Sequence, residues 1–477
     1  MENDRSGTAG WDFPPARTAG PAELAGYASR SSVSPGEPFT VFVTATVGWF
    51  TVHAFRLGWY RGVGARAVWS SGRLPGRRQP RPPVTDRFGT VRCAWTPSAV
   101  ISTEDWPPGT YLLRLTAGNG SCAYVPITVT SPTVAGRLVL VNAVSTYQAY
   151  NQWGGYSLYK GPDGTFATRA SRVSYDRPYD ENGARIVLQY EAAIIGRAER
   201  LGLPLAYLTG HHLDGDPGLL DGAVGVVSLG HDEYWTTRMR ATVTRARDAG
   251  TNVAFLGANA VYWRTRLTDP AAADPRTLIC YKSAAADPVH GPTTTTRWRG
   301  APDPDPEHSL VGSLYEAFPA SGPLVITDPG FFLFRGTGAR AGSTYPGLIG
   351  SEINRAYPIA GTPPTLRVVA HSPVTLPTGP TYADTVYYTA ASGAGVFSVG
   401  TMGWNKAVRG PDRRSGTTPA SVTFARTVTD TLLTAMAAGP LGHHHPAVPN
   451  LTALHEATTT TTGTGGPLDT PAAHSTR

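Results

Sequence analysis

The sequence predicts a chain of two folded parts: an all-β sandwich of immunoglobulin-like type, then an α/β domain with a mostly parallel sheet. Two observations carry this. Between residues 26 and 131, apolar and polar residues alternate at period two in short runs bounded by Gly, Pro or Ser. From residue 132 the runs become continuously apolar and alternate with stretches of helical periodicity, the pattern of strands buried on both faces and wrapped by helices.

Residues 1–25, rich in Gly, Pro and Ala without periodicity, are expected to form a flexible arm. TVFVTATV, VHAFRLGWYRG, GTYLLRLTAG and CAYVPITVT supply the strands of the sandwich over 26–131. The α/β domain, 132–440, opens with LVLVNA (138–143). A helix follows over 184–201, with Val187, Tyr190, Ile194, Ala198 and Leu201 on one face and Gly202 as its stop. LPLAYLTG, GVVSLG and NVAFLGA are further buried strands. Between the last two lies a helix capped by Thr236 or Thr237 and ended by Gly250. PLVITD, RVVAHS, TVYYTA and VFSVG, with a closing helix at 420–437, complete the sheet and roof its edge. The Thr-, Pro- and Gly-rich tail 441–477 is expected to be disordered, and its His443, His444 and His445 to carry no site.

At 477 residues the chain is long enough for two or three domains with sizeable cores, and 41% hydrophobic residues is ordinary for a globular protein. No stretch reaches the length of a membrane-spanning helix, so no membrane partner is expected. The first twenty residues lack the apolar core of a secretory signal, which predicts a cytoplasmic protein. The net charge of +7 comes almost wholly from arginine, since Lys160, Lys282 and Lys406 are the only lysines. The arginines are scattered apart from a short run at Arg77 and Arg78, so no nucleic-acid partner is expected either. Cys93, Cys122 and Cys280 lack the paired spacing of a zinc site. Cys93 and Cys122 are placed to meet across a sandwich, whereas buried free thiols suit a cytoplasmic chain.

In an open parallel sheet, ligands bind at the carboxyl ends of the strands. Here those ends are dense in functional groups: VSTYQAYNQWGGYSLYKGPDG after LVLVNA, HDEYW after GVVSLG, and ANAVYW after NVAFLG. His231 and Glu233, two apart, point the same way in extended chain and suit metal binding or proton transfer. The alternative is an acidic pair capping the next helix. Asn259 can orient a substrate or stabilise an oxyanion, or simply bond its own turn. Tyr150, Tyr156 and Tyr159 lie in a Gly-rich stretch where packing is the commoner role. The α/β pattern is glutamine-amidotransferase-like, but no cysteine stands at any of these strand ends, so a nucleophilic thiol is excluded. No GxSxG elbow occurs, which excludes an α/β-hydrolase serine. GTGARAG (336–342) has no strand-to-helix setting and takes no cofactor role.

TYQAYNQWGGYSLY, VSYDRPY, GHDEYW, FLGANAVYW, TRWRG and GSEINR, in that order, make residues 138–405 resemble the large (β) subunit of N,N-dimethylformamidase and its relatives. The resemblance implies an iron-dependent amidohydrolase that cleaves the C–N bond of a small amide or formamide with metal-activated water. It implies a mononuclear, ferric iron held by two tyrosinates and one glutamate. Carried over by motif, the glutamate is Glu233 and the tyrosines are Tyr150 and Tyr159, with Tyr147, Tyr156 and Tyr175 as competitors. His231, Asn259 and Glu352 match residues that assist catalysis. The partners implied are a small amide substrate and either a small subunit or a second copy of the chain. The family's large subunit is longer, with extra N-terminal material, and departs from this chain at Asp232, so the metal site transfers better than the substrate.

Phenol chemistry agrees with that assignment. A tyrosinate ligand requires a strongly polarising cation, because phenol loses its proton near pH ~10. Hard anionic oxygens suit ferric iron better than zinc. Two other readings stay open: a binding module that has lost catalysis, and a carbohydrate hydrolase using Glu233 and Glu352 as paired carboxylates, with Trp153, Tyr156 and Trp235 stacking on sugar rings.

Overall fold

The computed structural model describes residues 2–82, 86–268 and 274–462. Its N-terminal part holds two sheets. Leu24–Ala28, Phe39–Ala45 and Ala99–Ile101 form an antiparallel sheet of three strands. Cys122–Val129, Gly109–Ala117, Trp49–Leu57 and Ala65–Ser70 pair antiparallel in the larger sheet, whose edges are the short Ser32–Val33 on one side and Ala65–Ser70 with the short Leu74–Pro75 on the other. The period-two pattern sends Val41, Val43, Val52, Leu113, Leu115 and Ile127 into one core shared by both sheets.

Residues expected to form a flexible arm are instead packed. Phe13 is buried with its ring 4.6 Å from that of Tyr124, the Trp11 indole donates to Val63 O at 2.8 Å, and Arg66 holds Glu2 at 2.6 Å. The Gly- and Pro-rich composition does preclude long regular elements, but two aromatic rings give the arm enough apolar surface to dock.

The α/β part is built on a seven-stranded sheet. Leu205–Thr209, Leu138–Asn142, Gly225–Ser228, Asn252–Phe255 and Gly395–Ser398 run parallel in that spatial order, and Gly379–Thr389 and Arg367–Leu376 extend the sheet antiparallel. Leu138–Asn142 is buried along its whole length, as its unbroken apolar run predicts. Thr236 caps the helix Thr237–Asp248 by accepting the Met239 N–H at 3.1 Å, and Gly250 follows with φ +104°. The expected helix at 184–201 begins with a π-helical turn, Val187–Glu191, and continues as Ala192–Arg200. Beyond the strand ends lies a small sheet of Arg172–Ser174, Thr277–Ile279, Trp263–Leu267 and Tyr234–Thr236, and a long ribbon pairing Leu314–Val325 with Thr344–Arg355 packs against Arg367–Leu376 and Gly379–Thr389.

Over 441–462 the tail departs from its expected disorder. Leu441–His444 and Leu451–Thr462 are helical, the His445 ring stacks 3.9 Å from Phe332, and Asn450 bonds both backbone groups of Val368. Leu441 and Leu451 are buried apolar anchors that a Thr-rich composition conceals. Residues 463–477 lie outside the described residues. Cys93, Cys122 and Cys280 are all buried and free. Among the described residues, no helix is long and apolar enough to cross a membrane.

Candidate functional site

Leu138–Asn142 runs almost directly into the helix Val144–Tyr150, a helix where the sequence reading has only a loop. Tyr150 is its last residue. Gly154 and Gly155, at φ +81° and +90°, then turn the chain back so that Tyr159 faces Tyr150. Glu233 stands between the strands Gly225–Ser228 and Tyr234–Thr236, with its backbone N–H held by Thr146 Oγ1 at 3.1 Å. Neighbouring strand ends approach so closely that a Cβ at Gly257 would lie 2.2 Å from Gly230 O.

These turns bring three oxygen donors together. The Tyr150 hydroxyl donates to Glu233 Oε2 at 2.7 Å and lies 3.2 Å from the Tyr159 hydroxyl, which itself bonds Glu233 Oε1. Glu233 is fully buried. His231 Nε2 lies 3.3 Å from Glu233 Oε2 and 3.7 Å from Glu352 Oε2, close to both carboxylates but aligned with neither well enough for a hydrogen bond. Asn259 adopts φ +56°, a left-handed conformation asparagine tolerates, with its N–H held by Asn354 Oδ1 at 2.9 Å and its side chain against Glu352. All six residues singled out from the sequence, Tyr150, Tyr159, His231, Glu233, Asn259 and Glu352, thus share one buried cluster.

Of the competing tyrosines, Tyr147 and Tyr175 have their hydroxyls bonded elsewhere, and Tyr156 is held through its backbone. Tyr147 donates to the buried Glu191, Tyr175 bonds His211 Nε2 at 2.9 Å, and Tyr156 offers its carbonyl to Arg177. Three neighbours of the cluster escaped sequence reading. The Trp263 indole donates to the Tyr159 hydroxyl at 3.3 Å, and the Tyr190 ring meets His231 edge-on at 5.5 Å. Lys282 places its ammonium 3.3 Å from the centre of the Tyr159 ring and donates to the Tyr234 hydroxyl at 2.5 Å. The signal for Lys282 was rarity, since it is one of three lysines in an arginine-rich chain.

Burial alone would raise Glu233, but the His231 contact and the Lys282 ammonium outweigh it and hold its carboxyl well below the usual carboxylate range. Burial, then the charge of Glu233, pushes both Tyr150 and Tyr159 far above ordinary phenols. With nothing but protein around them, the two tyrosines are neutral donors to an ionised Glu233. A polyvalent cation among the three oxygens would reverse that, displacing the phenolic protons and leaving three hard anionic donors. Among the described residues, no group of three His, Cys, Asp or Glu is arranged for a metal. The donor set here differs in drawing two of its three members from tyrosine. Polar atoms beside the cluster are also unmatched: Asn259 Oδ1, Glu352 Oε2, His231 Nε2 and the Tyr315 hydroxyl are buried without hydrogen-bond partners among the described residues. An unpartnered buried polar group costs about 1–3 kcal/mol, so these are atoms that a polar ligand at the cluster would satisfy.

The family model described as N,N-dimethylformamidase beta subunit-like, C-terminal, matches residues 51–417 and so spans the whole of this cluster. The chain belongs to that family. Every motif that carries the site in this N,N-dimethylformamidase beta subunit-like chain, from TYQAYNQWGGYSLY to GSEINR, falls inside the matched span. No curated protein matches the chain. Among solved structures, a cycloisomaltooligosaccharide glucanotransferase from Paenibacillus sp., crystallised with cycloisomaltoheptaose, is similar at 15% identity with a TM-score of 0.16. The match covers 27% of this chain and 18% of that one, too little to bear on fold or function.

Proposed function

We propose that this chain hydrolyses the C–N bond of a small amide or formamide, at a mononuclear iron held by Tyr150, Tyr159 and Glu233. The observation that supports this most is the meeting of two phenols on the two oxygens of one buried carboxylate. The family, named for a formamidase, supplies the reaction class. Ferric iron, when bound, supplies a Lewis acid for the amide carbonyl and makes water more acidic.

The chain's own residues supply the rest. His231 and Glu352, 3.7 Å apart, take the proton of the attacking water and return it to the nitrogen as the C–N bond breaks, because an amine leaves poorly until protonated. Asn259 steadies the oxygen that gains charge as water adds to the carbonyl carbon. The rings of Tyr150, Tyr159, Tyr190 and Trp263 wall the site and favour a small substrate with little polarity beyond its amide. The carbohydrate reading is weaker here, since a Glu233 whose two oxygens both accept phenols is not free to act as one of a carboxylate pair.

We further read the N-terminal sheets as an immunoglobulin-like sandwich, the α/β part as glutamine-amidotransferase-like, and the partner as a small subunit or a second copy of the chain. The test is amine release from a panel of small N-alkyl amides by the iron-loaded protein, with Glu233→Gln as control. Release that depends on Glu233 supports the proposal. Equal release by the variant refutes it.

A further inference from the structure

Arg177 comes from VSYDRPY, a stretch given no role so far, and it is completely buried. Its guanidinium meets five oxygens. Nε donates to Gln148 Oε1 at 3.0 Å; Nη1 donates to the carbonyls of Trp153 at 3.0 Å and Tyr156 at 2.7 Å; Nη2 donates to Asn151 O at 3.0 Å and reaches Gln148 O at 3.5 Å. Two acceptors are on Gln148, in the helix that ends at Tyr150, and three are the carbonyls of Asn151, Trp153 and Tyr156, in the stretch that joins Tyr150 to Tyr159.

That stretch needs an external anchor. It leaves the helix at Tyr150 and turns through two glycines of positive φ; its own backbone ties, Gly155 N–H to Gln152 O at 2.9 Å and Leu158 N–H to Ala149 O at 3.0 Å, leave the carbonyls of Asn151, Trp153 and Tyr156 to Arg177. The segment carrying Arg177 supplies further ties: Asn151 Nδ2 donates to Pro178 O at 2.8 Å, and the N–H of Gln152 donates to Asp180 Oδ2 at 2.8 Å. Among the described residues, no carboxylate forms an ion pair with Arg177. A guanidinium buried without a counter-ion is costly, and burial pushes Arg177 down to about 10. Only a planar fork with five N–H groups satisfies this set of acceptors, and lysine, a point charge with three donors, does not.

We propose that Arg177 is a positioning residue that pre-forms the two-tyrosine side of the site, holding Tyr150 and Tyr159 toward Glu233 before any metal arrives. The inference rests on the assignment of those tyrosines given above. It also explains how two neutral phenols and a carboxylate are kept within hydrogen-bond reach by elements that do not themselves touch the metal position.

Hydrogen–deuterium exchange on the metal-free full chain tests it, comparing wild type, Arg177→Lys and Arg177→Ala. The expected result is exchange at least about tenfold faster across 148–159 in both variants, with the strand Gly109–Ala117 unchanged. Millimolar guanidinium restores protection to Arg177→Ala, and sodium at equal strength does not. If Arg177→Ala fails to fold, Arg177→Lys carries the comparison. In iron-loaded protein, the tyrosinate-to-iron absorption of Arg177→Lys, per iron bound, is weakened. Unchanged loop exchange, equal loosening throughout the chain, or a full-strength band in Arg177→Lys would each overturn the proposal. Exchange needs neither iron nor substrate, so the two readings fail separately. A wild type that takes up no iron removes the site reading, and the purpose given to Arg177 with it, while unchanged exchange removes Arg177 alone.

Discussion

Glu233 Oε2 accepts the Tyr150 hydroxyl at 2.7 Å while the other oxygen of the same carboxylate takes Tyr159. Neither phenol is spare, and neither carboxylate oxygen is free. Three side chains from two strand ends are committed to one point before any ligand is considered, and the consequences of disturbing that point differ by residue.

Tyr150→Phe removes one donor and one potential ligand. In metal-free protein it leaves Glu233 Oε2 with a poorer set of partners, at a cost of about 1–3 kcal/mol in chemical denaturation. Iron affinity should fall by more than the ~10–100-fold typical of changes outside the ligand shell, measured by competition with a chelator.

Asn259→Gly is the cleaner probe of the role proposed for Asn259, because glycine suits φ +56° and removes only the carboxamide. It should keep its iron and lose about 10²–10³ in kcat, as when an oxyanion donor is deleted. Unchanged kcat at full iron content would take Asn259 out of the mechanism.

Glu191 sets a pH dependence of stability. Burial pushes its carboxyl up to about 7, against the donors Tyr147, Asn142 and the Ala143 N–H. The folded state therefore holds this proton more tightly than the unfolded chain. The stabilisation is complete below the ordinary value of 4.5 and is lost as pH rises through about 7. Glu191→Gln, which stays neutral, should flatten the stability profile across that window. A profile that keeps its slope there assigns the dependence to another group.

Asn450→Ala tests the docked tail. Asn450 accepts the Val368 N–H at 2.7 Å and donates to Val368 O at 2.9 Å, satisfying one residue of the edge strand of the seven-stranded sheet beside the bridge from Ile326 to Ala370. The substitution should cost about 1–3 kcal/mol in thermal or chemical unfolding. No change would mean that the tail contributes nothing to the fold.

Much of this architecture is readable from periodicity. Unbroken apolar runs marked Leu138–Asn142, Gly225–Ser228 and Asn252–Phe255, and the candidate site residues follow them because strand ends are where loops converge. His231, Glu233 and Asn259 could be found that way. Glu352 could not be found from local sequence, since it lies on a long ribbon far along the chain and reaches the site only through tertiary folding. The helix Val144–Tyr150 was hidden because its residues are polar and aromatic on every side and are buried nonetheless, so no amphipathic stripe marks it. The arm and tail were misjudged for a related reason: composition reports the absence of regular elements, whereas docking is decided by a few anchors such as Phe13, Leu441 and Leu451.

Iron analysis of the purified full chain after expression in iron-replete medium, together with its visible absorption spectrum, tests the central claim most directly. The account predicts about one iron per chain, in keeping with a single site of three protein ligands, and a broad tyrosinate-to-iron band that is lost in Tyr150→Phe. Protein that carries no iron and shows no such band would contradict it, and would leave Tyr150, Tyr159 and Glu233 as a buried hydrogen-bond cluster without a metal.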